Sequence, residues 1–230
     1  MAENEPLSPI RPQDNDTEVG VLLTQPRRYL AFKTVFLLGR GGRLNRRIAR
    51  LACLVPSSDV VDIGCGPGDL ARVLASRAGR VTRVDPSAPM IDYATARSRR
   101  LTNCRFELGA AQSLPLPDAS ADLVTSTFAM HHIPAAYRPT AVAQMFRVLR
   151  PGGRLLLADT YPTGLILPSV VRVMARIARR RAHDIAHDLG DPVAASDIRR
   201  YRDMLDAAGF DAVKFVAVRP ATGVLLATKP

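Results

Sequence analysis

The sequence predicts an α/β fold, a parallel sheet with helices packed on both faces, and three observations predict it. Short apolar runs alternate with amphipathic stretches from Val60 to Ala158, the pattern of strands linked by crossover helices. The first run, Val60-Val61-Asp62-Ile63, passes directly into a glycine-rich turn, Gly64-Cys65-Gly66-Pro67-Gly68. The second, Val81-Thr82-Arg83-Val84, ends on Asp85.

The elements follow in order. Residues 1–16 are rich in Pro, Asn, Asp and Glu and read as a disordered tail. A short helix over 27–38 is carried by Leu30, Phe32, Val35, Phe36 and Leu38, then broken by Gly39, Gly41 and Gly42. A second helix over 44–54 stops before Pro56. After the first strand (60–63) and its turn, 70–78 is helical, with Leu70, Val73, Leu74 and Ala78 on one face. A strand over 81–84, a helix over 90–99, strands over 104–108 and 122–127, a helix over 140–149 and a strand over 154–158 continue the alternation. The stretch 165–187 is apolar and arginine-rich and reads as helical after Pro168. Ser196 is expected to cap a further helix, with Asp197 in its first turn and Gly209 at its end. Two strands, 210–218 and 224–228, close the chain. No internal repeat or long linker divides it. A single domain is therefore expected over 17–230: N-terminal helices to 55, a core over 56–160, an insertion over 161–195 and a closing helix and strands over 196–230.

Composition bounds the function. The chain has 230 residues, 47% of them hydrophobic, enough for one compact domain with a sizeable core. Its longest notable uncharged stretch, 123–137, is shorter than the roughly 18–20 apolar residues of a membrane span. The first residues show no basic region followed by an apolar run, so no secretion signal is expected. Three cysteines, Cys53, Cys65 and Cys104, match neither a disulfide scaffold nor a zinc site, and a reducing cytoplasm fits them best. The net charge is +11, and 29 of the 32 basic residues are arginines. That charge permits an anionic partner. No DNA- or RNA-binding motif accompanies it, which speaks against nucleic acid.

The glycine turn carries the chemistry. Its spacing is Gly-x-Gly-x-Gly, not the Gly-x-Gly-x-x-Gly that seats a pyrophosphate on a helix N-terminus. Glycines there let the backbone pass close to a ligand and take positive φ angles. Asp85, twenty-one positions after Gly64, stands where a carboxylate can accept hydrogen bonds from both hydroxyls of a ribose. A solvated turn aspartate before Pro86 is the alternative, and the coupling to the glycine turn favours the ribose role.

These residues, with several further blocks in the right order, resemble the class I S-adenosylmethionine-dependent methyltransferases, in the branch near the ubiquinone and menaquinone C-methyltransferases. The blocks are Leu114-Pro115-Leu116-Pro117-Asp118, Ala121-Asp122-Leu123-Val124, Phe128-Ala129-Met130-His131-His132-Ile133 and Val148-Leu149-Arg150-Pro151-Gly152-Gly153. The resemblance covers 59–159 well and the ends loosely. It implies a Rossmann-like, mostly parallel seven-stranded sheet with an antiparallel last strand, and S-adenosylmethionine over the carboxyl ends of the strands, with S-adenosylhomocysteine as product. It implies that Asp62, Gly64, Cys65 and Gly66 line the methionine side, that Gly68 also belongs to the cofactor-binding turn, and that Asp85 and Pro86 flank the ribose. Met90 is expected near the adenine, with a core methionine as the alternative. Where such enzymes carry an acid for the adenine amino group this chain has Ala110, leaving the backbone N–H of Ala111, with Gln112 or water, to meet the ring.

A hydroxyl, phenol or acidic carbon acceptor must lose a proton, and a histidine titrating near neutrality serves that purpose. His131, ahead of His132, is the candidate base; packing residues near a loop are the alternative. No clamp for an exocyclic base amine, no Pro-Cys nucleophile and no acidic pair for a metal site is evident. A metal-free methyl transfer to the O or C of a small or lipid-like acceptor is therefore expected. The acceptor is expected to be chosen by the N-terminal helices around Tyr29, Phe32 and Phe36 and by 165–187, whose arginine face also suits peripheral membrane contact. Ala110 keeps open a degenerate fold with a binding or regulatory role. The sequence fixes no oligomeric state.

Overall fold

The computed structural model describes residues 22–37, 39–161, 197–219 and 221–230. The expected tail over 1–16, the helix after Pro168 with its basic face, and the cap at Ser196 lie outside the described residues.

The chain opens with α1 (Pro26–Phe36) and α2 (Gly41–Leu51) and then alternates as expected: β1 (Asp59–Ile63), α3 (Asp69–Ala75), β2 (Arg80–Asp85), α4 (Ala88–Arg97), β3 (Cys104–Leu108), β4 (Ala121–Thr127), α5 (Arg138–Val148), β5 (Leu149–Thr160), α6 (Arg202–Ala207), β6 (Asp211–Val218) and β7 (Thr222–Thr228). Three helices begin earlier than their apolar pattern, because a proline opens the first turn: Pro26 in α1, Pro89 in α4 and Pro139 in α5. Proline's fixed φ suits that turn, and its missing N–H has no helical partner there to lose. Within the described residues, the Asp197 side chain accepts the Arg199 N–H at the head of a 3₁₀ turn, Ile198–Tyr201, that leads into α6. β5 is longer than expected. Its Pro-Gly-Gly stretch is held as an irregular strand, Gly152 N–H donating to Lys229 C=O and Lys229 N–H to Gly153 C=O.

The strands form one seven-stranded sheet in the order β3-β2-β1-β4-β5-β7-β6. β1, β2, β3, β4 and β5 pair in parallel, and β7 runs antiparallel to both its neighbours. Alternate residues feed two cores. Val61, Ile63, Val84, Val124, Leu155 and Leu157 pack under α5 and α6. Val60, Val81, Leu123 and Leu156 pack on the opposite face, under α2 and α3. The chain order reverses between β1 and β4, so the turns after these strands diverge and leave a crevice at their carboxyl ends. Among the described residues, no helix is long and apolar enough to cross a membrane.

Candidate functional site

The crevice is a cleft lined by the turns after β1, β2, β3 and β4 and closed on one side by the chain leading into α1. Gly64 takes φ +66°, and a Cβ there would overlap the Ala129 methyl, so only glycine lets the first turn sit against the fourth. Gly66, at φ +50°, faces Tyr29 of α1, and Gly68, at φ +77°, packs over the buried Arg83 guanidinium. The turn is fastened by Asp85. One carboxylate oxygen accepts the Gly66 N–H at 2.8 Å and the other accepts the Ser87 N–H at 2.9 Å. A carboxylate has about four acceptor positions, so one remains on each oxygen, at the cleft wall. Burial pushes the Asp85 carboxyl up, and these two N–H groups oppose the push.

Gly64, Gly66, Asp85, Pro86, Met90 and Ala111 all line the cleft. Met90 is also almost wholly buried, so it belongs to the core as well as to the cleft wall. Ala110 and Gln112 stand beside Ala111, and no carboxylate occupies that wall. Asp62, Cys65 and Gly68 are not among the lining residues. Asp62 turns onto the face beneath α3, where it accepts the Thr125 hydroxyl at 2.7 Å. Burial pushes the Cys65 thiol well up, which keeps it protonated and inert.

The two histidines divide differently from expectation. His132 lines the cleft, whereas His131 lies beside it at the rim, the ring centroids 4.1 Å apart. His131 Nδ1 meets the buried Asp159 carboxylate at 2.8 and 3.0 Å, and Asp159 also accepts the Thr160 N–H at 2.8 Å. A carboxylate only accepts, so the Nδ1 proton lies between them and Nε2 of the neutral ring carries the lone pair. Burial, with His131 adding to it, pushes the His132 imidazole down to about 4. His132 is thus neutral near pH 7 and a weak base.

Two features were missed. Asp159 ends a strand in the sequence, and nothing there shows that it meets His131 across 28 positions. Tyr29 was foreseen only on the acceptor side, yet its ring stands over Gly66. Burial first, then Asp159, Asp69 and Asp85, push its phenol up to about 12. α1 is held in place by Lys33, 3.7 Å from Asp69, and by the Ser87 hydroxyl, which donates to Leu23 C=O at 2.8 Å. Phe32 faces away from the cleft, half exposed.

The buried groups set a pH dependence of stability. Burial pushes Asp62 up to about 6, the Thr125 hydroxyl opposing it. Between about pH 4 and 6 the native state keeps a proton that the unfolded chain releases, so Asp62 makes stability fall as pH rises. His132 acts oppositely, because the unfolded chain takes up the proton first as pH falls below about 6.5. The two slopes oppose each other, each integrating to about 3 kcal/mol. Asp62→Asn is expected to unmask the rise with pH and His132→Phe the fall. Thermal melts of both variants from pH 4 to 7 check this, and superimposable curves would remove the assignment.

A sequence profile described as a methyltransferase domain matches residues 60–153. A ubiquinone/menaquinone biosynthesis C-methyltransferase of Rubrivivax gelatinosus is 33% identical over 181 residues, 74% of this chain and 69% of that protein. The chain belongs to the class I S-adenosylmethionine-dependent methyltransferases. A 27-O-demethylrifamycin SV methyltransferase of Amycolatopsis mediterranei is 35% identical over 60% of this methyltransferase, which spans about half of that relative, 50%. The crystal structure of a S-adenosylmethionine-dependent methyltransferase from Aquifex aeolicus shares the fold, with TM-score 0.66 and 18% identity over 90% of this chain and 99% of that one. S-adenosylmethionine is the cofactor of the methyltransferase, and the cleft suits it chemically. A carboxylate with an open acceptor position on each oxygen stands beside apolar walls and a glycine turn, matching a ribose diol between a heteroaromatic ring and an amino-acid tail.

Proposed function

We propose that this methyltransferase methylates an oxygen or carbon of a small or lipid-like acceptor, with His131 as the base that takes the acceptor's proton. The observation that carries this reading is the His131–Asp159 pair at the rim of the cleft. Bound S-adenosylmethionine supplies a methyl group already activated on a sulfonium.

The chain's residues have three tasks. Asp85 accepts the ribose hydroxyls, held in position by Gly66 and Ser87. Pro86, Met90, Ala110 and Ala111 exclude water from the adenine, and Gly64 and Gly66 admit the methionine portion past the backbone. Asp62, Cys65 and Gly68 support the turn from behind. Asp159 fixes the tautomer and direction of His131, whose Nε2 faces away from that carboxylate as the proton acceptor. His132, neutral and in the cleft wall, offers a hydrogen-bonding ring instead of a base. The apolar lining from Leu22, Leu23, Ile63, Phe128 and Ile133 supports an acceptor with a hydrophobic body. The names of the Rubrivivax and Amycolatopsis relatives lend support for C- and O-methylation respectively. Residues 56–160 read as the cofactor core of one domain, and the three unpaired cysteines support a reducing, cytoplasmic setting.

Calorimetric titration with S-adenosylmethionine and S-adenosylhomocysteine, with NAD as control, tests the cofactor placement. Micromolar binding of the first two and none of NAD is expected. The absence of an acid at Ala110 then costs about 0.5–1.5 kcal/mol, one neutral hydrogen bond. Phenolic and quinol acceptors are the probes for turnover. No binding of either sulfur compound would favour the non-catalytic reading that Ala110 keeps open.

A further inference from the structure

Residues 19–58 contain seven arginines and one lysine and no acidic residue. Lys33 turns inward to Asp69, whereas Arg27, Arg28, Arg40, Arg43, Arg46, Arg47 and Arg50 are all exposed. Among the described residues none of the seven has a carboxylate partner. Helix geometry sorts them. At about 100° per residue, Leu44, Asn45, Ile48 and Ala49 give α2 its buried side, and Arg43, Arg46, Arg47 and Arg50 fall within an arc of about 100° on the other.

α1 has an equally clear division, of another kind. Tyr29, Leu30 and Lys33 face the body of the protein, and Arg28, Ala31, Phe32 and Val35 line the outer side. Phe32 is 49% exposed and Val35 is 75% exposed. Single exposed apolar residues are ordinary. Here two lie one turn apart, with Arg28 on their own stripe and Arg40 and Arg43 just beyond the end of the helix.

We propose that the outer side of α1 and the arginine face of α2 form a docking surface for an anionic phospholipid bilayer. Arginines with no carboxylate partner among the described residues complement lipid phosphates and a negative surface potential. Phe32 and Val35 are the apolar side chains that an interfacial helix inserts among the headgroups, and a surface made only to hold nucleic-acid phosphates has no use for an exposed valine. The inner side of the same helix carries Tyr29 to the cleft. A bound bilayer is therefore one helix thickness from the site. The surface stands independently of which acceptor is methylated.

Co-sedimentation of the full chain with vesicles tests this, using phosphatidylcholine alone and phosphatidylcholine mixed with phosphatidylglycerol. Binding to the mixed vesicles only, weakened by salt, is expected. Arg43→Ser with Arg46→Ser is expected to lower partitioning about 25-fold, each arginine contributing about fivefold. Phe32→Ser with Val35→Ser is expected to lower it at least about tenfold. S-adenosylmethionine affinity should be unchanged in both double variants, since none of these residues lines the cleft. Failure to bind vesicles with cofactor binding intact overturns the surface and leaves the methyltransferase reading standing. Equal binding to both vesicle types overturns it too, as does vesicle binding that neither double variant alters. Competition by RNA with no effect of Phe32→Ser and Val35→Ser would assign the arginines to nucleic acid. A shift from dimer to monomer on replacing Phe32 and Val35 would assign the apolar stripe to a second copy. Either result overturns the proposal.

Discussion

Asp85→Asn is expected to weaken S-adenosylmethionine binding by about 100-fold or more, the loss of about two charge-assisted hydrogen bonds. In the parent both oxygens of Asp85 already accept backbone N–H groups, from Gly66 and Ser87. An asparagine turns a donor toward one of them. That mismatch loosens the glycine turn as well as removing an acceptor from the ribose, so the two losses act on one ligand. Calorimetry with S-adenosylhomocysteine measures the effect, and the thermal melt shows whether the fold persists. Parent-like affinity would move the ribose site away from Asp85.

His131→Ala is expected to lower kcat by about 10²–10⁴-fold, the span that a positioned general base supplies, with cofactor affinity nearly unchanged. Asp159→Asn is expected to give a smaller loss, in kcat more than KM, because Asp159 orients His131 without touching the acceptor. A residue with a merely structural role would lower stability without this split between kcat and KM. His132→Gln separates the neighbours: its weakly basic ring is not the proton acceptor, so kcat should fall far less than in His131→Ala. Turnover of a phenolic or quinol acceptor is the assay. Equal losses at both histidines would divide the proton transfer between them.

The fold was legible wherever one residue's chemistry acts locally. Val60 to Ile63 and Leu123 to Thr127 announce themselves as strands because both faces of each are buried, and Gly64 because its turn admits no side chain. The starts of α1, α4 and α5 were misplaced by reading apolar spacing and overlooking Pro26, Pro89 and Pro139. β5 was cut short because its Pro-Gly-Gly stretch is kept in the sheet by Lys229, a tertiary partner 76–77 residues away in sequence. The site divides in the same way. Gly64, Gly66, Asp85 and Pro86 lie in turns whose form is locally determined, and they reach the cleft. Alternation along β1 turns Asp62 to the far face of the sheet, toward Thr125, a contact that its place beside the glycine turn does not report. Asp159 and Tyr29 matter through contacts across long stretches of chain, which no local pattern reports.

The helix that closes the cleft has no fully buried residue, and it is tied down by Lys33 and by the segment hydrogen-bonded to Ser87. Its backbone amides are therefore expected to open more readily, and to exchange hydrogen with solvent faster, than those of the central strands. A molecule held between Tyr29 and Gly66 must slow that exchange across 26–36 while leaving amides of the central strands, already protected, little changed. Occupancy of the cleft is thus written into deuterium uptake of a single peptide, which can be followed before any acceptor has been found.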